Sequence, residues 1–319
     1  MKKIIIDSDL VNDDSIAILF ALSSSAFQVE AITVVAGAVG LNQGVKNALN
    51  LLEIARRTDI PVFVGQDKPL FRPLVMGKTF HGEDGLGNLH LPQPNIQPQK
   101  KTAIRYLAEL VDRSDPITIV TLGPLTNIAT ALLFQPEIAS SIDQIVMVGG
   151  AIFGAGNYTP AITSNCMHSE YNFFVDPEAA QIVLSKQISL VMIGMDVTEK
   201  VLLTKEICER ILKTNPNDVS TFLMSTTGPY MKIHDQIIKK KGCYIADPLA
   251  IAYLLDPSCF ITRDLYMQVE TKGEFTRGET IADLGNFLGN PTNVSVCMDI
   301  DEQRTLDLFF KAFTNYSKE

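Results

Sequence analysis

Residues 4–14 of the chain read Ile-Ile-Ile-Asp-Ser-Asp-Leu-Val-Asn-Asp-Asp. Three isoleucines in a row predict a buried strand, and the acidic stretch after them predicts a turn that opens a helix near residue 13. In an open α/β sheet, ligands bind beyond the carboxyl ends of the strands, where this stretch would lie. The segment therefore predicts a strand of a parallel sheet followed directly by a candidate functional turn.

The same alternation of short apolar runs and amphipathic stretches continues along the chain. Uninterrupted apolar strands are typical of a parallel sheet covered by helices on both faces. We therefore predict an α/β fold with a Rossmann-like, mostly parallel central sheet flanked by helices, in one domain over residues 1–319. Strands are predicted at 4–6, 31–35, 61–64, 117–122, 145–148, 190–193 and 294–298. Helices are predicted at 13–24, 43–57, 101–113, 125–134, 176–185 and 302–316, with 200–256 mainly helical and 66–100 a functional loop or lid.

Composition excludes several kinds of partner. The net charge of -9 opposes binding to nucleic acid or to an anionic lipid surface. The N-terminus has too few apolar residues for a signal peptide, and no apolar run is long enough to span a membrane, so we expect a cytoplasmic protein. The cysteines are scattered, without a CxxC pair, which argues against a disulfide framework and a thiolate zinc site. They are Cys166, Cys208, Cys243, Cys259 and Cys297.

The acidic stretch carries four carboxylates, on Asp7, Asp9, Asp13 and Asp14. So many like charges within eight residues are tolerable only where solvent or a cation screens them. Oxygen ligands without a nearby His or Cys favour Ca²⁺ or Mg²⁺ over zinc. The stretch therefore predicts a hard-cation site.

Two alternatives remain open for this stretch. Asp9, Asn12 and Asp13 could simply cap the following helix, where such residues are common. The Asp-x-Asp pattern after a first strand also resembles the haloacid-dehalogenase phosphatases, although Leu10-Val11 replaces their Gly-Thr type of continuation.

Further motifs follow other predicted strands or open other helices. Together with the acidic stretch, their order and spacing resemble the inosine–uridine-preferring nucleoside hydrolase family along nearly the whole chain. The motifs are Asn47-Ala48-Leu49, Asp59-Ile60-Pro61-Val62, His81-Gly82, Gly85-Leu86-Gly87, Gly123-Pro124-Leu125-Thr126-Asn127, Met147-Val148-Gly149-Gly150, Asn157, Glu170-Tyr171-Asn172, Asp176-Pro177, Asp196-Val197-Thr198 and Ala246-Asp247-Pro248-Leu249-Ala250.

The resemblance implies a Ca²⁺-dependent enzyme that hydrolyses a ribonucleoside or related riboside to base and ribose, used in salvage. By position, the implied calcium ligands are Asp9, Asp14, Asp247 and the backbone carbonyl of Leu122. Asp9 is also the implied general base on a metal-bound water. The resemblance also implies an assembly of two or four subunits, so a homodimer or homotetramer is expected.

The resemblance also assigns the sugar contacts. Asp13 and Asn172 would bind ribose hydroxyls, while Asn157 and Glu170 would reach the 5′-hydroxyl. Simpler explanations are that Asn157 is a turn residue, that Glu170 is a solvated surface carboxylate, and that Asp247 is an ordinary helix N-cap.

The chain departs from the family where the leaving base would lie. Ala246 stands where many members carry a His that protonates the base, and Ala38 follows Gly37 where an Asn is usual. Loss of a general acid typically costs ~10²–10⁴-fold in rate. The alternative function is therefore a catalytically degraded relative that binds ribosides without turnover.

Other side chains could contact the base. Purine-selective members stack the base between tryptophans, and this chain has no Trp. Tyr230 and His234, one helical turn apart, or His81 in the loop, are the candidate substitutes. Alternatively, Tyr230 and His234 belong to an ordinary helix packing face, and His81 is a loop histidine without a role.

Overall fold

The computed structural model describes residues 1–154, 156–157 and 168–316. Its strands are β1 (Lys2–Ser8), β2 (Phe27–Val34), β3 (Val62–Val64), β4 (Ile117–Thr121), β5 (Ile142–Val148), β6 (Leu190–Ile193), β7 (Leu202–Leu203), β8 (Cys243–Tyr244), β9 (Phe260–Leu265), β10 (Met267–Val269), β11 (Thr280–Ala282) and β12 (Val294–Ile300). Its helices are α1 (Asn12–Leu22), α2 (Leu41–Ile54), α3 (Lys78–His81), α4 (Ala103–Ala108), α5 (Thr126–Phe134), α6 (Tyr171–Val175), α7 (Pro177–Leu184), α8 (Met195–Thr198), α9 (Lys205–Thr214), α10 (Asp218–Ile238), α11 (Pro248–Leu255) and α12 (Glu302–Thr314).

An eight-stranded sheet forms the centre, in the order β3-β2-β1-β4-β5-β6-β12-β9. Neighbouring strands are parallel except β9, which pairs antiparallel with β12. The chain leaves β1 toward β2 on one side and later returns to pair β4 on the other. Such a change of direction opens a crevice at the carboxyl ends of the strands. The acidic stretch after β1 lies at that point.

The sheet separates two apolar cores. Ile4 and Ile6 of β1 face the core formed with α1, α2, α10, α11 and α12, whereas Ile5 faces the core formed with α4, α5 and α7. Successive side chains of a strand point to opposite faces, so a strand covered on both sides must be apolar throughout. This burial explains the uninterrupted isoleucine run.

The predicted α/β class and all seven predicted strands of the sheet are confirmed. The region 200–256 is mainly helical, with the small hairpin β7–β8 added. Two features were not predicted: the antiparallel edge strand β9 and the hairpin β10–β11. The predicted helix at 101–113 is only partly α-helical, since α4 ends at Ala108 and a 3₁₀ turn follows.

Four of the five cysteines lie in the described residues, where they are buried free thiols. Cys166 lies outside them. No helix in the described part of the chain combines the length and apolarity that a membrane crossing requires.

Candidate active site

One cavity at the carboxyl ends of β1, β4 and β5 gathers the candidate site residues. Every residue that the sequence predicted for the site lines it: Asp9, Asp13, Asp14, His81, Leu122, Asn157, Glu170, Asn172, Tyr230, His234 and Asp247. Ala38 and Ala246 line the same cavity. The sequence therefore predicted which residues come together, while the role of each stays a prediction.

The acidic turn after β1 is shaped by its own side chains. The Ser8 hydroxyl donates to Asp14 Oδ1 at 2.5 Å and accepts from the Leu10 amide at 3.0 Å. The Val11 amide donates to Asp14 Oδ2 at 3.2 Å. Helix α1 begins at Asn12 with Val11 as its N-cap residue. The alternative that Asp9, Asn12 and Asp13 merely cap this helix is therefore wrong.

The carboxylate of Asp9 is enclosed by two backbone segments. Its Oδ2 accepts a hydrogen bond of 2.5 Å from the Ala38 amide. A Cβ on Gly37 would lie 2.1 Å from Oδ2, and one on Gly123 would lie 2.9 Å from Oδ1. Only glycine fits at these positions, which explains why both turns carry one. Burial, followed by the charge of Asp14, raises the pKa of Asp9 well above its usual value.

Carboxylate oxygens of Asp13, Asp14 and Asp247 lie within 4.8 Å of one another, close enough to hold one metal ion. Burial, with the charge of Asp14 second, raises the pKa of Asp13 to about 7. Burial and the charges of Asp13 and Asp14 raise the pKa of Asp247 as well. Asp247 occupies the N-cap position of α11, but its side chain makes no capping hydrogen bond. Its carboxylate is therefore free to face the cluster.

In the part of the chain that the structure describes, these carboxylates lack a cationic partner. Within the described residues, no Lys, Arg or His forms a salt bridge with Asp9, Asp13, Asp14 or Asp247. Buried carboxylates of like charge need a compensating positive charge to ionise together. An all-oxygen donor set suits a hard cation. The site therefore fits a divalent ion of this type.

Asp7 lies beneath the turn and does not join the cluster. It is fully buried, and its Oδ2 accepts from the Thr33 hydroxyl at 2.5 Å and from the Asn127 amide at 2.7 Å. Its Oδ1 has no hydrogen-bond partner in the described structure. Burial raises the pKa of Asp7 to about 7. Asp7 therefore joins the end of β1 to Thr33 of β2 and Asn127 of α5, whereas Ser8 contacts the turn itself.

The residues predicted to contact the sugar form a second group around α6. Glu170 caps this helix: its carboxylate accepts from the amides of Gly150, Asn172 and Phe173. Burial, partly opposed by these donors, raises the pKa of Glu170 to about 7. With 7% of its surface exposed, Glu170 is not the solvated carboxylate of the simpler explanation.

Two amide side chains complete this group. Asn172 Nδ2 donates to the Leu122 carbonyl at 2.8 Å and to the Val148 carbonyl at 3.1 Å. A carbonyl oxygen has two lone pairs, so this contact leaves Leu122 able to serve as a ligand. Asn157 Oδ1 accepts from the Tyr171 amide at 2.7 Å. Asn172 thereby joins the ends of β4 and β5 to the start of α6, and Asn157 contacts the first residue of the same helix.

An aromatic wall closes the other side of the cavity. The rings of His81 and Tyr230 stack with centroids 5.4 Å apart, and His234 meets Tyr230 edge-on at 4.4 Å. Phe80 and Tyr244 contact His234 at 6.2 and 5.8 Å. Tyr230 and His234 therefore face the cavity and are not merely a packing face, and His81 is part of the same wall.

The loop carrying His81 is tied to the acidic turn. Asn47 on α2 donates to the Leu10 carbonyl at 2.9 Å and to the Asp84 carbonyl at 2.8 Å. The Asp84 carboxylate in turn accepts from the amides of Leu86, Asn88 and His90. The loop is thus joined to the acidic turn through Asn47, while its opening as a lid stays a prediction.

Sequence reasoning missed three aromatic residues of the cavity, Phe80, Tyr171 and Tyr244. Tyr171 stands between two predicted residues, and that position was a usable signal. Phe80 adjoins His81 in the loop, whereas nothing local distinguishes Tyr244 from an ordinary strand residue.

Known proteins are similar to this chain over nearly its whole length. Residues 4–307 match the family model of the inosine-uridine preferring nucleoside hydrolases. Pyrimidine-specific ribonucleoside hydrolase RihA of Escherichia coli O17:K52:H18 is 41% identical over 307 residues, covering 96% of each chain. RihA of Escherichia fergusonii is 40% identical over 316 residues, covering 98% of this chain and 99% of the relative.

Two solved structures are also similar. A purine-preferring ribonucleoside hydrolase from Gardnerella vaginalis superposes with a TM-score of 0.89 at 30% identity, covering 98% of both chains. The plant nucleoside hydrolase PpNRh1 superposes with a TM-score of 0.90 at 32% identity, covering 98% of this chain and 99% of that one. The chain therefore belongs to the inosine-uridine preferring nucleoside hydrolase family.

Proposed function

We propose that the chain hydrolyses the N-glycosidic bond of pyrimidine ribonucleosides, giving base and ribose for salvage, with Ca²⁺ as cofactor. The observation that carries this proposal is the buried group of Asp13, Asp14 and Asp247, which shares one cavity with Asp9 and the sugar-side residues. The pyrimidine preference is supported by the names of the two RihA relatives, which are more similar to this chain than the purine-preferring structure is.

The proposed cation ligands are the carboxylates of Asp9, Asp14 and Asp247 with the Leu122 carbonyl. Asp13 is close enough to join them, and we keep it as a ribose contact because of its position in the family motif. When bound, the ion supplies positive charge that screens these carboxylates and attracts hydroxyl oxygens of the sugar.

Asp9 is the proposed general base. Its carboxylate removes a proton from the water that attacks C1′ of the ribose as the bond to the base breaks. Only the ionised carboxylate can accept this proton, and a bound cation would favour that ionised form. The sugar becomes positively charged in the transition state, and the fixed negative charges of Asp13 and Asp14 stabilise it.

The leaving base requires a different partner, because Ala246 has no proton to give. His234 Nδ1 lies 3.1 Å from the Tyr230 carbonyl, so its proton is engaged there. The Tyr230 hydroxyl keeps its own proton, since burial, with the charge of Asp13 second, raises its pKa well above 10. We therefore assign Tyr230 as the hydrogen-bond donor to the departing base.

Ala38 and Ala246 support the competing function, a relative that binds ribosides without turnover. A reducing-sugar assay over uridine, cytidine, inosine and nicotinamide riboside, with and without EDTA, separates the two. Turnover that EDTA abolishes and Ca²⁺ restores is the expected result. Binding of uridine by calorimetry without any release of ribose would establish the binder instead.

A cytoplasmic homodimer or homotetramer, which the family resemblance implies, also remains a proposal. Light scattering on the purified protein measures the number of subunits directly, and a monomer would refute the assembly.

A further inference from the structure

Asn12 lies beneath the aromatic wall with a defined amide orientation. It is fully buried, and its Nδ2 donates to the Thr226 carbonyl at 3.1 Å and to the Thr226 hydroxyl at 2.8 Å. A backbone carbonyl can only accept a hydrogen bond. The nitrogen of the amide must therefore face Thr226 on α10, and the oxygen must face the opposite way.

The oxygen of Asn12 lies against His81. Oδ1 is 3.1 Å from His81 Nδ1, and a carbonyl-type oxygen accepts but never donates. His81 Nδ1 must therefore carry a hydrogen. A neutral imidazole has one N–H, so its Nε2 is left unprotonated as an acceptor.

The surroundings keep His81 neutral and its Nε2 available. Burial, with His234 as the second cause, lowers the pKa of His81 to about 3. Among the described residues, Nε2 has no hydrogen-bond partner, although the ring lines the cavity. A ligand in the cavity is therefore the natural source of a donor for Nε2.

We propose that Asn12 is a positioning residue that fixes His81 as the Nδ1–H tautomer, so that Nε2 accepts a hydrogen bond from an N–H group of the leaving base. The inference rests on the proposed function for its substrate class. Uracil offers N3–H and cytosine offers its 4-amino group, both away from the glycosidic N1. A pyrimidine that lacks such a donor, such as 3-methyluracil, loses this contact. His81 therefore selects the base and does not protonate it.

The tautomer is observable without turnover. Long-range ¹H–¹⁵N correlation spectra of the calcium-loaded protein at neutral pH distinguish protonated from unprotonated ring nitrogens. The chain has only four histidines, and the His81→Gln spectrum assigns the signals of His81. We expect a protonated Nδ1 and an unprotonated Nε2. A wild-type His81 with its proton on Nε2 overturns the inference whatever the activity.

Three variants test the role of Asn12. Asn12→Leu removes the acceptor and should shift His81 toward the Nε2–H tautomer, which an unconstrained histidine favours. Asn12→Ala also removes the acceptor and is less bulky than leucine, so it should shift the tautomer in the same direction and serves if the leucine variant does not fold. Thr226→Val is the matched control: it removes one contact of the Asn12 amide but leaves the Asn12–His81 pair intact.

The kinetic readout is the ratio of kcat/KM for uridine to that for 3-methyluridine. One hydrogen bond at a buried site corresponds to about tenfold, so the ratio should fall about tenfold in Asn12→Leu and stay within about twofold in Thr226→Val. A tautomer shift that leaves the ratio unchanged overturns the base-recognition step. If the wild type cleaves no riboside, the proposed function fails, and uridine and 3-methyluridine are compared by calorimetric binding instead.

Discussion

Replacing Asp7 by Asn should change how the stability of the metal-free protein depends on pH. Asp7 is fully buried, and burial raises its pKa from 3.8 to about 7. A folded-state pKa above the unfolded value means that the folded protein resists ionising this group. The loss of folding free energy caused by burying this carboxyl is absent below about pH 4. It grows between pH 4 and pH 7 and reaches its full size above about pH 7.

The size of the effect follows from the shift. At about 1.4 kcal/mol per pKa unit, a rise from 3.8 to about 7 corresponds to about 4 kcal/mol. Asn cannot ionise, and its oxygen can still accept from Thr33 and Asn127. Its amide nitrogen would take the place of the unpartnered Oδ1, which adds a cost that does not vary with pH. The stability of Asp7→Asn relative to wild type should therefore rise by up to about 4 kcal/mol between pH 4 and pH 8.

Urea unfolding of both proteins in EDTA, at intervals over that range, measures the difference. Asp115→Asn is the flat control. Asp115 is exposed, and its hydrogen bond to Lys3 lowers its pKa below 3.8, so its contribution to stability changes only below about pH 4 and the difference between this variant and wild type should stay constant between pH 4 and pH 8. A difference between Asp7→Asn and wild type that is constant across pH would refute the reasoning.

The remaining predictions concern the site itself. Asp9→Ala should abolish turnover, because the general base is lost, while circular dichroism shows an unchanged fold; full retention of kcat would remove Asp9 from this role. Asp14→Ala should weaken Ca²⁺ binding measured by calorimetry, and unchanged affinity would show that Asp14 is not a ligand. Tyr230→Phe should lower kcat by about 10²–10⁴-fold if the hydroxyl assists the leaving base; Tyr253→Phe, which alters a tyrosine packed on Phe260, is its control and should leave kcat unchanged. EDTA should lower the melting temperature at pH 8 more than at pH 5, because the buried carboxylates Asp7, Asp13 and Glu170, with pKa values of about 7, ionise over that interval; an equal loss at both values would count against a cation that compensates these charges.

Much of the fold could be predicted because the pattern of apolar residues in each segment indicates its secondary structure. The parallel strands are buried on both faces, so each appears as an apolar run, and the candidate site follows the ends of these strands. Strand β9 was missed because its four central residues are exposed and partly charged, which hides the alternation that marks a strand. The organisation of the chain as a single domain stays a prediction.

The details of the site depend on contacts that are remote in sequence. Asn12 and Thr226 are 214 residues apart, and no local pattern pairs them. Similarly, Phe80 and Tyr244 reach the aromatic wall from the four-residue helix α3 and a two-residue strand. Sequence motifs predicted the residues proposed to contact the sugar and three of those proposed to contact the base, whereas Phe80 and Tyr244 required the structure.

Asn47 has a consequence for redesign of this protein. Its single amide group holds both the Leu10 carbonyl of the acidic turn and the Asp84 carbonyl of the loop that carries His81. A chimera that takes this loop from a relative with another base preference would have the relative's backbone at position 84. If the carbonyl at that position is displaced, the Asn47 side chain must move with it, and its contact with the turn that carries Asp9 would change. If the loop selects the base and the turn binds the cation as proposed, we expect a loop exchange to change both properties, and variants should be selected for both together.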